Sequence, residues 1–106
     1  EAGSGQLDYI ASIDQANGTS FQNIISDGDI KTDNDSSLAG TLHIFDPSST
    51  TFVKHFMART INDPSSYAQE EHTAGYFNTT SAINAVQFKM ASGNIDAGDI
   101  CLYGIS

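Results

Sequence analysis

The sequence predicts an all-β, antiparallel domain, and three observations carry that prediction. Ten of the thirteen acids are Asp, and with seven Asn and twenty-two Ser and Thr they form a population of side chains that competes for the backbone hydrogen bonds of a helix. The apolar set leans to eleven Ile, six Phe and four Tyr, which suit a pleated, half-buried surface. Several short runs alternate apolar and polar residues with a period of two, between clusters of Gly, Pro, Asn and Asp.

Residues 1–6 (EAGSGQ) have nothing to bury and read as a flexible or partner-bound arm, which leaves residues 7–106 as one domain. Residues 7–13 (LDYIASI) place Leu7, Tyr9, Ala11 and Ile13 on one face of a first strand, and the Asp14 to Gly18 stretch supplies turn chemistry. Residues 20–25 (SFQNII) read as a second strand. A polar loop follows over 26–39, in which Ile30 marks at most a very short strand. Residues 40–45 (GTLHIF) alternate, with Leu42 and Ile44 on one face and His43 and Phe45 on the other, until Asp46-Pro47 breaks the chain.

Residues 51–60 (TFVKHFMART) set Phe52, Phe56 and Ala58 opposite Val53, His55 and Met57. Two apolar faces fit a central or subunit-interface strand, so Val53, His55 and Met57 are interface candidates. Residues 61–71 read as a loop and 72–77 (HTAGYF) as a strand. In the last thirty residues, Val86, Phe88 and Met90 face inward on one strand, Ser92-Gly93-Asn94 turns the chain, and Ile100 and Leu102 face inward on the returning strand. Gly104 lets Tyr103 or a neighbouring chain approach closely, which adds Tyr103 to the interface candidates.

At 106 residues and 11.3 kDa there is material for one core. Four basic residues against thirteen acids give a net charge of −9, which argues against nucleic acid and anionic membrane as partners. No apolar run reaches the roughly 18 residues a membrane helix needs. Cys101 stands alone, so no internal disulfide is available. The start at Glu1 without Met suggests a processed chain or part of a longer one.

Candidate chemistry is sparse. Asp27, Asp29, Asp33 and Asp35 form a cluster of hard oxygen donors that suits Ca2+, yet the EF-hand pattern fails: Gly28 comes too early and Leu38 stands at the twelfth position, where a bidentate Glu is required. The plain reading is a solvated loop. His43, His55 and His72 lack zinc-ligand spacing, although His43 and His55 fall on neighbouring strands where a ladder would face them. Cys101 alternates with Ile100 and Leu102 and reads as a packing residue without a base beside it. With no nucleophile elbow, phosphate loop or dinucleotide motif, neither catalytic residues nor a cofactor is expected. Tyr67 and Tyr76 are candidate stacking platforms for a host-surface glycan if their loops meet at one end of the domain.

Residues 82–88 (AINAVQF) and 91–105 (ASGNIDAGDICLYGI) resemble the ending of a family of bacteriophage virion proteins, with an aliphatic-x-x-aliphatic-x-Phe strand, a Ser-Gly-Asn-Ile turn and a closing Leu-Tyr-Gly-aliphatic. Residues 39–47 (AGTLHIFDP) and 75–80 (GYFNTT) are similar to earlier strands of that family, while the acidic 27–37 stretch matches it poorly. The resemblance implies an antiparallel β-sandwich of jelly-roll type, carried on the virion as a capsid decoration or a tail or fibre accessory. It also implies a homo-oligomer, a trimer being one form, docked on other virion proteins such as the major capsid protein. A carbohydrate-binding module at a fibre tip is the alternative from a different functional class.

Overall fold

The computed structural model describes residues 5–25, 30, 36–63 and 67–105. The fold is all-β with almost no helix. Its ordered heart is a three-stranded antiparallel sheet in the order β1-β2-β3, made of β1 (Leu38–Ile44), β2 (Lys54–Asn62) and β3 (Gln69–Phe77). Consecutive strands are neighbours, as short connections favour.

Register follows from the alternation in sequence. Leu42 stands opposite Ala58 and Ile44 opposite Phe56, while on β2 and β3 Phe56 meets Gly75, Ala58 meets Thr73 and Thr60 meets Glu71. These residues share one face, the inner face, with Lys54 and Asn62 at its two ends. The Asp46-Pro47 break is a turn in which Asp46 takes φ 47° and accepts the amide of Ser49 at 3.1 Å. Ser49 Oγ accepts the amides of Thr51 and Phe52, so the connection caps itself before β2 begins.

Two glycines on the inner-face parity keep the strands close. A Cβ on Gly75 would lie 2.9 Å from the Phe56 ring, so the missing side chain lets Phe56 lie across β3 and reach Phe77, ring centroids 5.1 Å apart. A Cβ on Gly40 would lie 2.6 Å from the Arg59 carbonyl oxygen, so β1 can approach β2 there only without one.

The strands differ in extent from the sequence reading. β2 runs through Asn62 and β3 starts at Gln69, so part of the expected 61–71 loop is ladder: Ile61 pairs with Glu70 and Asn62 with Gln69. Acidic and amide residues obscured this extension, because the ladder itself is backbone and tolerates them.

The expected strand at 7–13 is not formed. A 3-10 turn spans Ala11–Ile13, and Asp14 N–H donates to Ala11 at 3.1 Å. The expected strand at 20–25 is also absent. Side-chain amides take the carbonyls a ladder would use there: Gln15 donates to Phe21 O at 2.7 Å, and Gln22 to Ile13 O and Asn23 O. Nor do residues 81–90 and 99–105 pair with each other or with the sheet. Gly93 (φ 73°) and Gly98 (φ 137°) do adopt the positive φ expected of tight reversals. A two-stranded ribbon is marginal without a third layer, which accounts for turn positions without a ladder.

The irregular segments touch the inner face at Thr60 and Lys54 and are tied to one another and to the β1–β2 connection. Thr60 Oγ1 donates to Ile24 O at 3.0 Å, Ile83 N–H to Pro47 O at 2.8 Å, and the Lys89 ammonium lies 4.1 Å from the Phe21 ring centroid. Lys54, 1% exposed, donates to Ser81 O at 2.7 Å and Thr79 O at 3.2 Å, which ties the segment after β3 to the sheet.

Asn62 is 2% exposed, and neither its Oδ1 nor its Nδ2 has a hydrogen-bond partner. An unpaired buried polar group costs about 1–3 kcal/mol. Asn62→Val, which keeps a strand-forming side chain and removes both atoms, is expected to raise unfolding stability by about 1–3 kcal/mol in urea titration. A loss of stability would show that the amide is satisfied in solution.

Candidate functional site

The second, outer face of the sheet carries the side chains left over by the alternation. Thr41, His43, His55, Met57, Arg59, Ile61, Glu70, His72, Ala74 and Tyr76 all stand on it and are exposed. Period-two alternation forces this outcome: once Leu42, Phe56 and Ala58 face inward, their neighbours must face out.

The centre of this face is a shallow depression of about 390 Å³ between Thr41, His43, Met57, Arg59, His72 and Ala74. Arg59 stands opposite His72 across the ladder, and Glu70 lies next on the same face. The Arg59 guanidinium donates to Glu70 Oε1, and His72 Nε2 lies 3.2 Å from the same oxygen. The hydrogen bond from Arg59 holds the Glu70 carboxyl below its usual range, helped by the charge of Arg59 and by His72 and opposed by desolvation. All three side chains are solvent-exposed, so the cluster orients its members without storing much energy.

The sequence candidates fall as follows. Val53 is half-buried just before β2, while His55 and Met57 occupy the outer face and Tyr103 is strongly exposed. His43 stands opposite Met57, not His55; His55 instead stands opposite Tyr76, ring centroids 6.0 Å apart. All three histidines share the face, yet they sit at different levels of the sheet. Among the described residues no three His, Cys, Asp or Glu side chains converge on one point. The proposed Ca2+ donors Asp27, Asp29, Asp33 and Asp35 lie outside the described residues.

Tyr76 is on β3 itself, and Tyr67 lies just before that strand. The nine residues of β3 place the two at opposite ends, on the order of 27 Å apart at about 3.4 Å per residue. Their rings therefore do not line one platform. Cys101 is exposed.

Three positions went unnoticed in the sequence: Lys54, Asn62 and Gly40. Strand parity was the available signal for the first two, since Lys54 and Asn62 lie in step with Phe56, Ala58 and Thr60.

Comparison of the chain with protein-family models, with curated proteins and with solved structures gives no match.

Packing is where the chain departs most from an ordinary small domain. It exposes 8911 Å², whereas a folded monomer of this mass exposes about 5,700 Å². Its radius of gyration is 15.5 Å, against about 13 Å for a compact domain of this length. Among the described residues Ala58 is the one buried apolar side chain. Large apolar residues lie open instead: Phe45, Met57, Ile61 and Tyr76 on or beside the outer face, and Ile100, Leu102 (94% exposed), Tyr103 and Ile105 (91%) at the end of the chain.

Proposed function

We propose that this chain is a non-enzymatic structural module of a bacteriophage particle, a capsid decoration or a tail or fibre accessory, which works through contacts with its own copies and with other virion proteins. In this reading the complete fold is an antiparallel β-sandwich of jelly-roll type, with the three-stranded sheet as one layer. Support comes from two directions. The ending at 82–105 and the stretches 39–47 and 75–80 resemble virion proteins, and they include the exposed apolar side chains Ile100, Leu102 and Ile105.

The observation that carries the proposal is the apolar surface left open on the sheet and on the closing segment. Large apolar side chains left exposed in number are a feature of association surfaces in soluble proteins.

The test is to purify particles from a host producing the tagged chain and to count its copies per particle by quantitative mass spectrometry. A fixed stoichiometry that survives high-salt washing is expected; absence from washed particles overturns the proposal. A glycan array run with the same protein covers the alternative: sugar binding abolished by Tyr76→Ala would replace the structural reading with a receptor-binding one.

A further inference from the structure

We infer that Asn17 is a site of spontaneous covalent modification, where the main-chain nitrogen of Gly18 displaces the side-chain amide of Asn17 and leaves an isoaspartate in the chain.

The chemistry asks for three things together: a carboxamide one methylene from the main chain, a following amide nitrogen free to attack it, and no side chain on that next residue to crowd the approach. Sequence alone singles out one position. Of the seven asparagines, Asn17 is the one followed by glycine; Asn23 and Asn94 precede Ile, Asn78 precedes Thr, Asn84 precedes Ala, and Asn34 and Asn62 precede Asp. A β-branched neighbour blocks the approach, whereas glycine leaves it open and lets the main chain rotate into it.

The structure supplies the rest. Asn17 and Gly18 are both exposed, in the connection between the 3-10 turn at Ala11–Ile13 and Phe21. Among the described residues neither the Asn17 carboxamide nor the Gly18 N–H takes part in a hydrogen bond, so leaving group and nucleophile are both free. Other asparagines differ in just this respect. After Asn78 the Thr79 N–H donates to Phe77 O at 2.8 Å, and after Asn62, itself buried in the ladder, the Asp63 N–H donates to Ser37 O at 3.4 Å. Asn17 takes φ 57°, a left-handed conformation with a shallow energy well, so rotating out of it toward the reactive geometry costs the turn little.

The step balances with water as its only co-reactant. The Gly18 nitrogen bonds to Asn17 Cγ and loses its proton to solvent, while the Cγ–Nδ2 bond breaks and Nδ2 takes up a proton and departs as ammonia. The cyclic imide then adds one water. Opening at the main-chain carbonyl leaves isoaspartate, and opening at Cγ leaves aspartate. Either product adds a negative charge to a chain of net charge −9. Isoaspartate also lengthens the main chain between Gln15 and Phe21, which the Gln15 side chain joins by a 2.7 Å hydrogen bond to Phe21 O.

Ageing the 106-residue chain in mildly alkaline buffer, folded and in urea, tests this by peptide mapping with mass spectrometry that separates isoaspartate from aspartate. The peptide holding Asn17 is expected to gain the mass difference between a carboxamide and a carboxyl, with isoaspartate the larger product, at least about tenfold faster than the peptides holding Asn78 and Asn94. The folded chain is expected to react within about tenfold of the unfolded one, because the connection is exposed and holds neither reacting group. Gly18→Val, whose new Cβ meets the flexible Gln15 side chain, is expected to slow the reaction at Asn17 at least about tenfold. Modification at Asn17 no faster than at Asn78 or Asn94, suppression in the folded state by more than about tenfold, or an unslowed Gly18→Val chain would each overturn the inference.

Discussion

Gly40→Val is expected to destabilise the sheet by about 3 kcal/mol or more, in the range of severe overpacking. The sign is what makes the result informative. On propensity alone, Gly to Val in a strand gains up to about 1 kcal/mol. Here the new Cβ would sit 2.6 Å from the Arg59 carbonyl oxygen and 3.0 Å from Thr60 Cγ2. The obstacle is backbone, which cannot swing aside as a flexible side chain does, so β1 must move off β2 and surrender ladder bonds. Thr41→Val, one residue along on the outer face, is the control and is expected to change stability by less than about 0.5 kcal/mol. Urea titration of both variants reads the difference. A Gly40→Val protein as stable as the control would mean that β1 is not held at this register.

Lys54→Met is expected to cost about 2 kcal/mol and to free the segment that follows β3. The buried ammonium donates to the carbonyls of Thr79 and Ser81, and hydrogen bonds from a charged donor are worth about 1.5–3 kcal/mol each. The desolvation of Lys54 offsets part of that sum, and the Met side chain retains most of the stem's packing. Hydrogen exchange distinguishes a local from a global effect: the amides of Ser81 and Ile83 are expected to exchange at least about tenfold faster, with β2 amides changing only in proportion to global stability. Unchanged exchange at 81–83 would show that Lys54 does not tether the segment.

These two residues also show what the sequence made legible. The alternation of Leu42 and Ile44 against His43 and Phe45, and of Phe56 and Ala58 against His55 and Met57, placed both faces correctly, because period two is a geometric property of any strand. Lys54 and Asn62 obey the same parity, but a polar residue on a buried face is read as exposed unless its partner is known, and the Lys54 partners lie 25 and 27 residues away. Strand composition misled at 7–13 and 81–105. Leu7, Ile100 and Leu102 are good strand residues, yet a strand exists only through a neighbour, and among the described residues none pairs with them. The strongest pattern in the sequence therefore marks the segment with the greatest unmet demand for a partner. The grouping of the candidate site was equally invisible: histidines 12 or more residues apart share one face only because the ladder brings Arg59 opposite His72 and Met57 opposite His43.

In the proposed assembly the exposed apolar surface is buried by association between chains. If folding and association are one event, stability follows mass action and the unfolding midpoint depends on protein concentration. Thermal unfolding of the 106-residue chain across a hundredfold range of concentration measures this directly. A midpoint that rises steadily with concentration is expected; a cooperative transition at the same temperature throughout would contradict association.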